Sequence, residues 1–121
     1  MDAEELRLLC NLIYFEARGC GDRHQQLVAA VALNRVADPR FPDTLFGVLT
    51  QPGQYGDGSY AWQSPEITPE IRANAEAALA GTVECPADVV FQAEFIQGSG
   101  IYEISAVDTG WWRSTTYFCR G

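Results

Sequence analysis

A chain of 121 residues with 47% apolar content builds one domain around a single core. Its formal charge of -8 sets sixteen acids against eight basic residues, all of them arginines, which argues against a nucleic-acid partner and suits a neutral, sugar-like ligand. No window approaches the roughly 18 apolar residues of a membrane span, and MDAEELR lacks the basic start and apolar run of a signal peptide. Either export takes another route or the segment is cut from a longer chain.

Asp2 followed by Glu5 predicts a capped helix running to about Ala17, with Gly19 supplying the stop. The next segment, HQQLVAAVALNRV, is apolar at nearly every position from Leu27 to Leu33 and reads as a helix buried on most of its circumference. Asn34 falls on its Leu27 and Val31 stripe, where an amide serves as a loop anchor or orients a site. Two prolines make ADPRFPD an irregular connection to a short helix, TLFGVL. The stretch QPGQYGDGSYAW, rich in glycine, glutamine and aromatic rings, is a surface loop in which Tyr55, Tyr60 or Trp62 either stacks on a sugar face or pins the loop to the core.

Thr68 and Pro69 open a further helix that Gly81 ends. Beyond Cys85 the period shortens: Val89, Phe91, Ala93 and Phe95 alternate with Val90, Gln92 and Glu94. QGSG then turns the chain into IYEIS, and STTYFC makes a last strand after Trp111 and Trp112. The pattern predicts an α+β fold, a helical body with a small C-terminal antiparallel β-sheet.

Glu16 is the first catalytic candidate. It follows Leu9, Leu12 and Ile13 by seven, four and three residues, which places a carboxylate on the core-facing stripe of the first helix. Partial burial and the nearby helix C-terminus both raise a carboxyl pKa, and a carboxylic acid kept protonated near neutral pH is what general-acid catalysis requires. The alternative is that Glu16 snorkels from the stripe edge or pairs with Arg18 or Arg35.

Cys10, Cys20, Cys85 and Cys119 match no zinc spacing, and neither a metal nor a cofactor is expected. One or two disulfides are open, with Cys20 and Cys85 better placed for bridging than Cys10; any bridge implies an oxidising compartment. Cys20 and His24 also raise the reading of a cysteine nucleophile, which their closeness in the chain disfavours.

The ordered set IYFEARG, VALNRV and FPDTLFGVLTQPGQY resembles the cell wall hydrolase family of the spore cortex-lytic enzyme type, without a gap from about Leu6 to Tyr55 and more loosely through VVFQAEF. The resemblance implies a lysozyme-like or lytic-transglycosylase-like fold, with residues 1–121 as a single catalytic domain that cleaves peptidoglycan glycan strands. It implies that Glu16, the glutamate of EARG, is the catalytic acid. Family members often carry another acid after EARG, where this chain has Cys20, so any role of that second acid is in doubt here. WWRSTTYFCRG matches only loosely.

Lytic transglycosylation between N-acetylmuramic acid and N-acetylglucosamine needs one carboxyl and gives 1,6-anhydro products. A muramidase-type hydrolase needs two, for which Glu94, Glu66 and Asp57 are available. Gln54 and Tyr55 of the matched QPGQY are expected to contact substrate, with Trp62, Gln92 and Gln25, the last of which also suits a helix-capping role. The expected enzyme is a monomer acting outside the cytoplasm, in cell wall or spore cortex, or a phage-encoded lysin. A non-catalytic glycan-binding module using Trp62, Tyr55, Trp111 and Trp112 is the rival, and it leaves the carboxylate on the apolar stripe unexplained.

Overall fold

The structure, a computed structural model, describes residues 2–121. Helix α1 spans Ala3–Ala17, with the Asp2 side chain accepting from the Glu5 amide as the cap reading requires. It does not end on a left-handed glycine. Arg18 stays right-handed and the Cys20 amide returns to the Ala17 carbonyl, so Gly19 is not the stop that the sequence suggests.

Helix α2, Asp22–Ala37, is the axis of the helical body. Every residue from Leu27 to Ala32 is buried, because α1, α3 (Leu45–Thr50), α4 (Pro69–Leu79) and the sheet pack around it. Thr44 caps α3 and Thr68 caps α4, while Gly81, at φ +75°, ends α4 as expected. The loop after α3 closes in a single 3₁₀ turn, Tyr60–Trp62. Asn11 fixes that turn: its buried amide donates to the Tyr60 and Gln63 carbonyls, both at 2.9 Å.

Strands β1 (Val89–Ala93), β2 (Gly100–Asp108) and β3 (Arg113–Arg120) form an antiparallel sheet in the order β1-β3-β2. The last strand in sequence therefore lies between the other two. Strand β1 stops at Ala93 rather than continuing to Phe95, and β2 runs past IYEIS to Asp108, so Trp111 and Trp112 fall in the hairpin turn between β2 and β3. Val89 and Phe118 carry the sheet's apolar side into the core.

Asn34 is a loop anchor: its amide donates to the Pro86 and Val89 carbonyls, at 2.9 Å each, and ties α2 to the entry of β1. No disulfide forms among the described residues. Cys85 lies beside the Asn34 amide and Cys20 follows the end of α1, and neither of these two better-placed cysteines is bridged. Asn34→Ala should lower unfolding free energy by about 1–3 kcal/mol through two abandoned carbonyls; urea denaturation of the purified variant measures it.

Candidate active site

Glu16 stands in the last turn of α1, on a cleft of about 540 Å³ between the helical body and the sheet. Cys20, His24, Arg35, Gln54 and Tyr55 line the helical side. Gln92, Glu94, Val107, Trp112 and Ser114 are among the residues lining the sheet side.

Leu9, Leu12 and Ile13 are fully buried, but Glu16 is exposed at the open end of their stripe rather than packed in the core. It touches water and yet has protein on most sides, because the surface there is concave. Burial by these walls is the main cause that raises its carboxyl pKa, and the neighbouring Tyr60 hydroxyl, a donor to the charged form, opposes the rise. Neither arginine named as its partner pairs with it. The Arg18 guanidinium lies 4.4 Å from the centroid of the Tyr14 ring.

Arg35 is buried and directed elsewhere. Its Nε donates to the Val90 carbonyl at 2.7 Å and its Nη1 to Gln54 Oε1 at 3.1 Å. Its guanidinium sits 4.8 Å from the Phe41 ring centroid and 5.2 Å from that of Tyr55.

Tyr60 is positioned by its neighbours. Its ring stacks on Phe15 at 4.9 Å, and its phenol pKa is pushed up to about 12 by burial and by the Glu16 charge. Gly56, at φ +51°, allows this approach, since a Cβ there would stand 2.7 Å from the Tyr60 hydroxyl.

The expected substrate contacts divide. Gln54 and Gln92 line the cleft, Gln54 exposed and Gln92 half-buried with its Oε1 unpartnered. Tyr55 is only 2% exposed and its ring is part of the core, so no ring face is open for sugar stacking. What remains is its hydroxyl, buried without a partner in the cleft wall, on a phenol whose pKa burial lifts to about 12.

Trp62 does not line the cleft; it is 67% exposed and meets Phe46 edge-on at 5.4 Å. Gln25 is buried with its amide fully engaged. It donates to the Ala17 and Cys20 carbonyls and accepts from Asn74, so it braces the end of α1 just beyond Glu16 and has nothing left for substrate.

Of the three further acids, only Glu94 lines the cleft, accepting from the Ser114 hydroxyl at 2.9 Å. Cys20 and His24 both line it too, but burial raises the Cys20 thiol pKa, the opposite of what a nucleophile needs. The His24 Nδ1 is 2.8 Å from the Ser105 hydroxyl. Among the described residues no three His, Cys, Asp or Glu side chains group as a metal site.

Asn11 and the cleft position of Trp112 were not anticipated, and Tyr60 was expected as a ring that stacks on sugar or pins the loop, not as the hydroxyl beside Glu16. Asn11 carried the signal that singled out Asn34, an amide on an apolar helix face, whereas nothing local separates Tyr60 from Tyr55.

The cell wall hydrolase description matches residues 19–118. The chain belongs to the cell wall hydrolase family. The match begins beyond Glu16, so the role of that carboxyl rests on the cleft and the EARG motif. The spore cortex-lytic enzyme of Bacillus subtilis is 38% identical over 69 residues, covering 54% of this chain and 23% of that protein. The one from Oceanobacillus iheyensis is 41% identical over 64 residues, 50% of this chain and 23% of that protein. The chain thus spans about a quarter of the length of these curated relatives.

The catalytic domain of the Bacillus cereus SleB protein superposes with TM-score 0.73 at 21% identity, covering 98% of this chain and 91% of that one. The catalytic domain of the germination-specific lytic transglycosylase SleB from Bacillus anthracis gives 0.72 at 20%, covering 99% and 97%. This family member therefore shares their α+β fold.

A carboxyl with a raised pKa binds its proton more tightly folded than unfolded, so the stability it contributes is present at low pH and lost as pH rises through the folded pKa. Glu16→Gln should match the wild-type melting temperature near about pH 4 and exceed it increasingly above that; melts across a pH series check the sign. Tyr55→Ala should cost about 3–5 kcal/mol by cavity formation. Tyr55→Phe keeps the packing and should preserve the melting temperature, because the hydroxyl it removes is buried and unpartnered; calorimetric melts of both variants separate ring from hydroxyl.

Proposed function

We propose that this domain cleaves peptidoglycan glycan strands outside the cytoplasm by lytic transglycosylation, with Glu16 as the catalytic acid. The observation that carries the reading is the carboxyl itself. Glu16 lines the cleft, has no arginine bonded to it, and has its pKa raised by the surrounding walls.

Protonated Glu16 gives its proton to the glycosidic oxygen as the bond from that oxygen to muramic acid C1 breaks. The C6 hydroxyl of the same sugar attacks C1 and surrenders its proton to the Glu16 carboxylate. The acid is restored, no water is consumed, and the new end is a 1,6-anhydro sugar. Tyr60, beside the carboxyl, supports the charged intermediate form by donating its hydroxyl hydrogen bond. Gln54, Gln92 and Ser114 are among the polar residues on the cleft wall available to orient the sugars.

Glu94 favours a second reading. Its place on the same cleft makes it the one further acid able to activate water, as in a two-carboxyl muramidase.

Glu16→Gln should fold and lose cleavage by at least about 10²-fold, the lower range of general-acid catalysis. Glu94→Gln should keep cleavage, and mass spectrometry of the digested peptidoglycan should find anhydro-muropeptides. Loss of activity in Glu94→Gln together with reducing-end products would establish hydrolysis instead.

A further inference from the structure

Glu16 borders two depressions. The first is the cleft already described. The second is a groove of about 460 Å³ on its other side, bounded by Phe15, Arg18, Thr109 and Trp111. Glu16, Cys20 and Trp112 line both, so the groove continues the cleft past the carboxyl.

The far wall of the groove is the β2–β3 hairpin turn, and that turn is built. The Thr109 amide donates to the Trp112 carbonyl at 3.0 Å, the Trp112 amide donates to the Thr109 hydroxyl at 3.2 Å, and the Gly110 amide donates to Asp108 Oδ1 at 2.9 Å. Gly110 takes φ +83°, a backbone state that favours glycine.

The turn presents two indoles that the core does not use: Trp111 is 97% exposed and Trp112 50%. Phe15 faces the same groove at 38% exposure. Exposed aromatic surface gathered beside a polar cleft marks a binding surface rather than a packing one.

We infer that this groove holds the glycan strand on the opposite side of the scissile bond from the main cleft, with the Trp111 indole as the platform for a sugar ring. The inference rests on Glu16 being the acid, because an acid acting on the bond between two sugars must have sugar on both sides of it. A pyranose offers the matching chemistry, an apolar C–H face for the indole and hydroxyl edges for the polar residues, Thr109 among them, that line the groove. The two indoles thus belong to the catalytic cleft and not to a separate binding module.

The test uses the Glu16→Gln protein and glycan strands freed of stem peptides by an amidase, with affinity read by calorimetry. Adding Trp111→Ala should weaken strand binding about 3- to 10-fold, the worth of one aromatic stacking contact. The melting temperature should not change, because the residue packs against nothing, and Trp111→Phe should restore most of the affinity. In the otherwise wild-type protein Trp111→Ala should raise KM and leave kcat unchanged.

Unchanged affinity in Trp111→Ala would overturn the inference, as would a Phe variant no better than Ala. So would a self-associating protein that becomes monomeric on Trp111→Ala, since the indole would then be buried against a second copy. Cleavage by Glu16→Gln at the wild-type rate would instead sink the assignment of the acid, which the affinity measurement does not touch.

Discussion

The Glu16 carboxyl keeps protein on most sides and, among the described residues, no cation bonded to it, and the cleft depends on that combination. A guanidinium paired with it would stabilise the charged form and remove the acid. Both nearby candidates are held away: Arg18 lies over Tyr14, and Arg35 is fastened to the Val90 carbonyl and Gln54 among aromatic rings. Tyr60 is the exception, a donor that moderates the rise without cancelling it. Its position needs Phe15 beneath the ring, Gly56 beside the hydroxyl and the Asn11 amide under its backbone.

These contacts explain why a small domain spends buried polar groups where apolar ones would pack. Gln25 braces the carbonyls that end α1, Asn11 holds the 3₁₀ turn, and Asn34 and Arg35 tie α2 to the two residues that open β1. Each joins an element carrying a cleft residue to its neighbour. Satisfied amides of this kind favour one arrangement over its close competitors, because any slip abandons a buried donor.

The helices and the change of period after Cys85 were legible because they depend on local chemistry: Asp2, Thr68 and Gly81 act within a turn or two of their own positions. Glu16 was legible for the same reason, as a carboxylate in line with Leu9, Leu12 and Ile13. Its exposure was not, since whether a stripe ends in the core or at a cleft depends on what lies opposite, and here that is the sheet. Strand order was equally hidden, because the placement of β3 between β1 and β2 is a choice among distant partners. The loop rings show the limit most sharply. Tyr55 and Tyr60 share one glycine-rich stretch, yet the first packs into the core and the second flanks the Glu16 carboxyl. Composition marks such a segment as a loop without distinguishing its rings.

The cleft walls hold the Glu16 carboxyl above the ordinary glutamate range while the Tyr60 hydroxyl pulls it down. Titration of the Glu16 side-chain carboxyl by carbon NMR, in the wild-type protein and in Tyr60→Phe, measures both effects on one atom. A pKa above the ordinary glutamate value of 4.5 in the wild type, rising further in Tyr60→Phe, is the expected result. An ordinary or lowered value in the wild type, or no response to Tyr60→Phe, would contradict it.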